Sequence, residues 1–304
     1  MTYTSIRNLG LIRTIAVIFP LKRKLKFLIA RYLKTENKLK ISFAKNWNIY
    51  INVTNNNHST VSNLILEGSN SQPEGKLLKR LHAELPDNMT LIDVGGNIGS
   101  FFCQFINKCS KVYVFEPIPR LYKVIQESIK LNHCQTTTLI TKAVGDIPGH
   151  VKMLDNNNSN VVADVATSEE IIDITVTTLD IELENINKID LLKIDVEGYE
   201  LHVLQGAHKI ITKHKPFMLI EVHPGFLQNY HKSHTDIIAF IEEHNYSIEY
   251  FSFLAEEREP KWKRIIHRWS GNNGLAFIDK KAFLKDVDMD PKLMSYHLYC
   301  KPLK

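Results

Sequence analysis

A buried strand that runs directly into a glycine-rich turn, Leu91–Ser100 (LIDVGGNIGS), most constrains what this chain can fold into. Such turns hold dinucleotide phosphates when they read G-x-G-x-x-G. Counted from Gly95, that pattern requires glycine at two positions where this chain has Asn97 and Ser100. Asp93 adds an anion where a pyrophosphate would lie. The turn is therefore expected to hold a cationic or amine-bearing ligand, unless it serves only as a structural strand-to-helix turn.

Strands and helices alternate from this turn onward. The predicted strands are 90–94, 111–115, 137–144, 151–154, 172–176, 190–195 and 217–222, and the predicted helices are 98–108, 119–132, 199–213 and 236–244, followed by β-like segments at 246–254 and 274–279. Strands joined by helices at this spacing form βαβ units. We therefore predict an α/β fold with a doubly wound, mostly parallel sheet.

The N-terminal segment is strongly basic. Residues 1–46 hold eleven Lys and Arg and one acid, whereas the whole 304-residue chain has a net charge of +5. The basic cluster follows the apolar run, which argues against a signal peptide, and the longest uncharged stretch, 14–21, is far shorter than the roughly 20 residues of a membrane span. Residues 21–34 predict an amphipathic helix, which either packs against protein or binds an anionic membrane surface.

Three parts are predicted along the chain. Residues 1–45 form the basic segment, 46–87 a β cap with a hairpin at 47–67 and a lead-in helix at 76–85, and 88–304 the ligand-binding domain. The four cysteines form no C-x-x-C, which indicates reduced thiols and a cytoplasmic protein, with peripheral contact at the inner face of the membrane left open. No nucleic-acid partner is expected, because the basic stripe lacks interleaved aromatics.

The ends of the predicted strands carry the candidate binding residues, since ligands of doubly wound sheets bind there. Glu116 ends the second strand, about 20 residues after the glycine turn, where an acid can accept both hydroxyls of a ribose. NAD and S-adenosylmethionine both carry that diol, so Glu116 does not choose between them. Val144 ends the third strand, where small neighbours leave room for an adenine. An exposed loop acid and a plain turn are the structural alternatives.

The predicted strands 190–195 and 217–222 lead into Asp195, Glu197, Glu221 and His223. Within each pair the residues are two apart, so they face the same way on an extended chain. Crowded carboxylates beside an imidazole suit acid–base chemistry. The cluster could also hold a divalent cation through oxygen ligands. No spacing such as H-E-x-x-H occurs, and we assign no metal.

The chain resembles the FkbM-type family of S-adenosylmethionine-dependent methyltransferases. The resemblance rests on IDVGGNIG (92–99), FEPIP (115–119), TLD (178–180), DLLKIDVEGYELHVLQGA (190–207) and LIEVHP (219–224), which come in the family's order. These segments extend over roughly 88–224. One departure is Gly96, where the family usually has alanine.

This resemblance implies a Rossmann-like, class I methyltransferase sheet with an antiparallel last strand. It implies methyl transfer from S-adenosylmethionine to a hydroxyl of a sugar, glycan or other small metabolite. The cofactor residues implied by the motifs or suggested by the strand ends are Asp93, Gly95, Gly96, Asn97, Gly99, Glu116, Val144 and Asp195. We predict His223 as the base, with Glu197 or Glu221 orienting it or binding the acceptor, because a sugar hydroxyl is a poor nucleophile.

Two other functions are considered. An NAD-dependent oxidoreductase fits Glu116 but not Asn97 and Ser100. A catalytically dead membrane-surface module fits the basic segment but not the intact turn and acidic strand ends.

Overall fold

The computed structural model describes residues 4–6, 38–44, 47–52, 75–154, 171–252, 260, 262, 276–289 and 295–303. Its strands are β1 (Thr4–Ile6), β2 (Lys38–Ala44), β3 (Trp47–Asn52), β4 (Met89–Val94), β5 (Cys109–Phe115), β6 (Thr137–Ile140), β7 (Ala143–Val144), β8 (Gly149–Leu154), β9 (Ile171–Thr177), β10 (Leu191–Ile194), β11 (Phe217–Val222), β12 (Tyr246–Ser252), β13 (Ala276–Ile278) and β14 (Tyr296–Pro302). Its α-helices are α1 (Gly75–Glu84), α2 (Phe102–Phe105), α3 (Pro119–Leu131), α4 (Leu179–Glu182), α5 (Glu200–Gln205), α6 (His208–His214), α7 (Pro224–Leu227), α8 (His234–Glu243) and α9 (Lys280–Met289).

The main sheet has eight strands in the order β13-β12-β14-β11-β10-β4-β5-β6. The five strands from β11 to β6 are parallel, and β14 is antiparallel to both of its neighbours. The predicted α/β fold, its mostly parallel sheet and its antiparallel late strand are therefore confirmed.

Alternate residues of the central strands pack on opposite faces of this sheet, as the period of a strand requires. Leu91 and Leu191 belong to one hydrophobic cluster, together with residues of α1, α2 and α3. Ile92 and Leu192 belong to the other, together with residues of α5, α6, α8 and α9. Helices thus cover both faces, and the sheet is doubly wound as predicted.

The register aligns the ends of β4 and β10, and β11 extends two residues beyond them. Ile194 at the end of β10 is paired with Val94 of β4 on one side and with Ile220 of β11 on the other. The segments that follow these residues therefore leave the sheet side by side. The glycine turn, the acidic loop after β10 and the end of β11 meet at this edge.

A separate three-stranded sheet, β1-β2-β3, forms the N-terminal cap. Its hairpin joins β2 to β3, so it begins before the predicted boundary at residue 46. It packs on α3, where the Tyr50 N–H donates to Ser128 Oγ at 2.9 Å. The remainder of the predicted 47–67 hairpin lies outside the described residues.

Several predicted elements are divided in the structure. The strand predicted at 137–144 splits into β6 in the main sheet and β7 in a small sheet with β9 and β8. The helix predicted at 98–108 shortens to α2 and a 3₁₀ turn, Ile106–Lys108. The helix predicted at 199–213 breaks at Gly206, which packs so tightly that a Cβ there would lie 2.0 Å from the carbonyl oxygen of Gly145.

The predicted amphipathic helix at 21–34 lies outside the described residues, so its membrane contact stays a prediction. Within the described part of the chain, no helix has the length and hydropathy to cross a bilayer.

Candidate active site

The glycine turn is folded directly against the acidic loop. The N–H groups of Gly95 and Gly96 both donate to the carbonyl oxygen of Phe115 at 3.0 Å. Gly95 has a φ of +82°, and a Cβ there would lie 1.8 Å from the backbone oxygen of Asp195. Only glycine satisfies both conditions. The glycine turn and the loop that follows β10 are thus in backbone contact. This contact brings the predicted cofactor residues of the two segments together.

Glu116 ties the turn to the start of α3. Its Oε2 accepts from the Asn97 N–H at 2.8 Å, and its Oε1 accepts from the Ile118 N–H at 2.9 Å. Burial raises the pKa of this carboxyl to about 7, although the two N–H groups act in the opposite direction. Each oxygen keeps further acceptor capacity. The carboxylate is therefore held in a fixed position from which it can accept from a diol.

Lys193 is a buried cation beneath the turn that the sequence analysis did not predict. Its Nζ lies 3.1 Å from Asp195 Oδ2, 3.1 Å from the Gly95 carbonyl oxygen and 3.3 Å from Asp93 Oδ1. The two carboxylates raise the pKa of Lys193 against the opposing effect of burial. Asp93 is completely buried, which raises its pKa. The positive partner of Asp93 in the structure is thus this lysine.

His223 lies at the centre of the acidic cluster. Its Nδ1 lies 2.9 Å from Oε1 of Glu200. Its Nε2 faces three carboxylate oxygens beyond hydrogen-bond distance, at 3.6 Å from Glu197, 3.7 Å from Glu221 and 3.9 Å from Asp195. The end of β11 and the loop after β10 therefore converge as predicted, with the imidazole between them.

The ionisation of His223 is set by its neighbours. Burial lowers its pKa, but the hydrogen bond to Glu200 and the charges of Asp195, Glu200 and Glu197 together raise it to about 9. Burial raises the pKa of Glu197 and of Glu200, against the opposing effect of His223. The imidazole is therefore cationic in most molecules at pH 7, and its neutral form accumulates as the pH rises.

Glu221 has a second imidazole partner on β14. His297 Nε2 lies 3.3 Å from Glu221 Oε2, and His297 is buried. Both histidines lower the pKa of Glu221 and overcome the effect of burial. Glu221 is therefore an anion over the whole neutral range.

Among the described residues, one group of side chains comes close enough to contact a single metal ion, and it consists of Asp195, Glu197 and His223. Acidic groups often gather in this way without an ion. Lys193 and His223 already supply positive charge here. We assign no metal to the cluster.

The structure separates the predicted site residues into groups. Asp195, Glu197, Glu221 and His223 come together, and Glu116 holds the glycine turn beside them. Two predicted cofactor residues lie deeper than expected. Val144 is buried in the hydrophobic core, and a Cβ on Gly96 would lie 2.3 Å from Val114 Cγ1.

Lys193, Glu200 and His297 were not among the predicted site residues. A lysine within the apolar run LLKI was a usable signal, because a charge in a buried strand requires a partner. Glu200 follows Glu197 by three residues, but nothing in the pattern shows that it turns inward. His297 lies on β14, an antiparallel strand that the resemblance implied but that was not located in residues 296–302.

The order of the main sheet, with an antiparallel β14 inserted beside five parallel strands, is that of a class I methyltransferase. The model of the methyltransferase FkbM domain matches residues 93–248, slightly more than half of the chain. The chain belongs to the FkbM methyltransferase family.

Named relatives are distant. The hexuronic acid methyltransferase AglP of Haloferax volcanii is 26% identical, over 50% of this chain and 63% of that protein. Methyltransferase 1 of Beauveria bassiana is 25% identical, over 41% of this chain and 60% of that protein. The chain thus spans about three fifths of the length of these curated relatives. A solved structure, the methyltransferase FkbM of Methylobacillus flagellatus KT, has 18% identity and a TM-score of 0.43, over 77% of this chain and 57% of that one.

Proposed function

We propose that this protein transfers a methyl group from S-adenosylmethionine to a hydroxyl oxygen of a sugar, glycan or other small metabolite. Membership of a methyltransferase family supports the reaction class. The observation that carries the proposal is the position of His223, whose Nε2 faces the acidic strand ends beside the glycine turn. A relative named for its action on hexuronic acid supports a sugar-like acceptor.

The residues present fit this cofactor. Glu116 would present a fixed carboxylate to a ribose diol, and Gly95 and Gly99, both with positive φ angles, shape the turn beside it. S-adenosylmethionine is cationic at the sulfonium and at the amino group, and Asp195 in the acidic loop after β10 would supply a carboxylate to a cationic ligand. Asp195 lies where that loop leaves the sheet. We therefore retain the predicted cofactor set, with Gly96 and Val144 as packing positions within it.

The bound cofactor supplies a methyl group that is already activated, so the chain's own task is to position the acceptor and remove its proton. Nε2 of His223 faces Glu197, Glu221 and Asp195, and it accepts the hydroxyl proton when the imidazole is neutral. Glu197, with a side chain that is 47% exposed, is the carboxylate best placed to bind an acceptor hydroxyl. Glu221, held between two histidines, stabilises the imidazolium that forms.

Calorimetric titration with S-adenosylhomocysteine, with NAD as the comparison, tests the cofactor assignment. We expect binding of the homocysteine compound that is lost in Glu116→Ala, and no response to NAD. Binding of NAD in its place would refute the proposal.

Radiolabelled methyl transfer to a panel of sugars and glycosides tests the reaction. His223→Ala should keep the affinity for S-adenosylhomocysteine and lose most turnover, by about 10²-fold or more. Turnover at the wild-type level in this variant would show that another group is the base.

A further inference from the structure

We propose that Glu200 is a positioning residue that holds the ring of His223 with Nδ1–H inward and the Nε2 lone pair toward the acceptor. This role rests on the proposed function, in which His223 is the base. The interaction between the two side chains can nevertheless be measured without any acceptor.

The contact between the two side chains is buried and short. Glu200 is completely buried and His223 is 5% exposed. Oε1 of Glu200 lies 2.9 Å from His223 Nδ1, and it accepts from the Gly198 N–H at 2.8 Å. The carboxylate is therefore fixed by the backbone on one side and directs the imidazole on the other.

The local backbone explains why this carboxylate points inward. Gly198 has a φ of +101°, and a Cβ there would lie 2.6 Å from Cβ of Phe226. The loop after β10 thus passes close against α7, the short helix that begins directly after His223. Glu200 is the first residue of α5. This close passage turns the first residue of the helix toward the end of β11.

The other carboxylates around His223 cannot perform this role. The groups that face or surround the ring are Asp195, Glu197, Glu200 and Glu221, with Lys193 beside Asp195 and His297 beside Glu221. Asp195, Glu197 and Glu221 lie 3.6–3.9 Å from Nε2, too far for hydrogen bonds, and their side chains are 19–47% exposed. They set the charge around the ring, whereas Glu200 alone among them sets its orientation.

The Gly198 N–H and His223 favour the ionised form of Glu200 against the effect of burial. An ionised carboxylate can only accept a hydrogen bond, so it selects one tautomer of neutral histidine. With Nδ1 protonated toward Glu200, Nε2 carries the lone pair on the side of Glu197, Glu221 and Asp195. The opposite tautomer would place a proton at Nε2 and leave a lone pair against a buried anion. The pair therefore prepares the base before any ligand binds.

Nitrogen-15 NMR of the full chain with labelled histidines tests this directly. The chain has thirteen histidines, so the signals of His223 are identified as those missing from His223→Asn. Above the midpoint of its titration, we expect wild-type His223 to show a protonated Nδ1 and an unprotonated Nε2. The reverse tautomer in the wild-type protein overturns the proposal, and this measurement needs no Glu200 variant to fold.

A variant then tests the coupling. In Glu200→Gln the amide oxygen can still accept from Nδ1–H, but the negative charge is removed, so the titration midpoint of His223 should fall by about one pH unit or more. Glu84→Gln makes the same change far from the site, where Glu84 pairs with Arg80 and Lys301, and should leave the midpoint unchanged. An unchanged midpoint in folded Glu200→Gln overturns the proposal.

The outcome is separable from that of the proposed function. If no hydroxyl acceptor is ever methylated, the tautomer and midpoint still decide the role of Glu200 toward His223. If methylation is found, Glu200→Gln should shift the alkaline rise of kcat downward by the same amount as the NMR midpoint, while affinity for S-adenosylhomocysteine stays within about twofold of wild type. A loss of that affinity instead would show that Glu200 shapes the cofactor site and does not position the base.

Discussion

The backbone oxygen of Asp195 lies so close to Gly95 that a Cβ on that glycine would be 1.8 Å away from it. The glycine turn and the acidic loop are 100 residues apart in the sequence, and here they share one contact surface. The turn therefore needs glycine at position 95 because of its contact with Asp195, as well as for any contact with a ligand. This relationship makes the site sensitive to single methyl groups.

We expect Gly95→Ala to lose about 3 kcal/mol of unfolding free energy or more, and to abolish binding of S-adenosylhomocysteine. The added methyl group collides with Asp195, and the φ of +82° is unfavourable for alanine. Urea unfolding and calorimetry measure the two effects. Gly149→Ala is the matched control, because a Cβ there meets nothing within 4 Å. It should stay within about 0.5 kcal/mol of wild type, and equal losses in both variants would contradict the argument.

Gly96→Ala should cost about 1–3 kcal/mol through overpacking alone, since the new methyl group would lie 2.3 Å from Val114 Cγ1. The resembling family usually has alanine here, and Val114 fills that space in this chain. The double variant Gly96→Ala/Val114→Ala should therefore be more stable than the sum of the single changes by about 1 kcal/mol. Strict additivity in a urea double-mutant cycle would rule out this contact as the cause.

Lys193→Met should destabilise the fold by about 3–5 kcal/mol, because it leaves the buried carboxylate of Asp93 without its cation. Adding Asp93→Asn to the same chain removes the uncompensated charge and should recover part of the loss. Thermal unfolding at pH 7 measures both variants. Exposed Lys209→Met is the control and should change little. A Lys193→Met protein as stable as wild type would show that the pair is not needed for folding.

The affinity for S-adenosylhomocysteine should increase by about tenfold between pH 6 and pH 8. The reason is the pKa of Glu116, which burial raises to about 7, so the carboxylate that accepts from a ribose diol is mostly protonated at the lower pH. Calorimetry at four pH values measures the slope. Glu116→Gln cannot ionise and should flatten the dependence as well as weaken binding. A slope that persists in this variant would assign the effect to another group.

Much of the site was predictable because it depends on short-range geometry. Glu221 and His223 share a side through the two-residue period of a strand, since β11 runs to Val222. Asp195 and Glu197 come together in a different way, because β10 ends at Ile194 and Glu197 has a left-handed φ of +53°. The parallel pairing of β10 with β11 then brings the pairs together. The interpretation of the turn at Gly95 as unsuited to a pyrophosphate also follows from residue types alone.

The features that the sequence could not predict depend on how deeply a side chain is buried and on partners that are far away in the sequence. Asp93 suggested a cationic ligand, yet its positive partner in the structure is Lys193. Only tertiary packing decides that the Lys193 side chain lies beneath the glycine turn and does not extend into solvent. Glu200 lies on a helix whose first residue is aimed by the contact between Gly198 and Phe226. His297 reaches Glu221 only because β14 enters the sheet beside β11, a pairing that no local pattern encodes.

The insertion of β14 between β11 and β12 also has a consequence for how the protein is made. Val222 of β11 pairs with Tyr296, and Ser252 of β12 pairs with the same residue from the other side. On the ribosome, β11 and β12 therefore emerge with a gap between them, and both facing edges stay open until β14 has been synthesised. Open strand edges are templates for wrong pairing between chains. Glu221 lacks His297 until the same moment, so its second imidazole partner is the last part of the acidic cluster to be added, when the sheet closes.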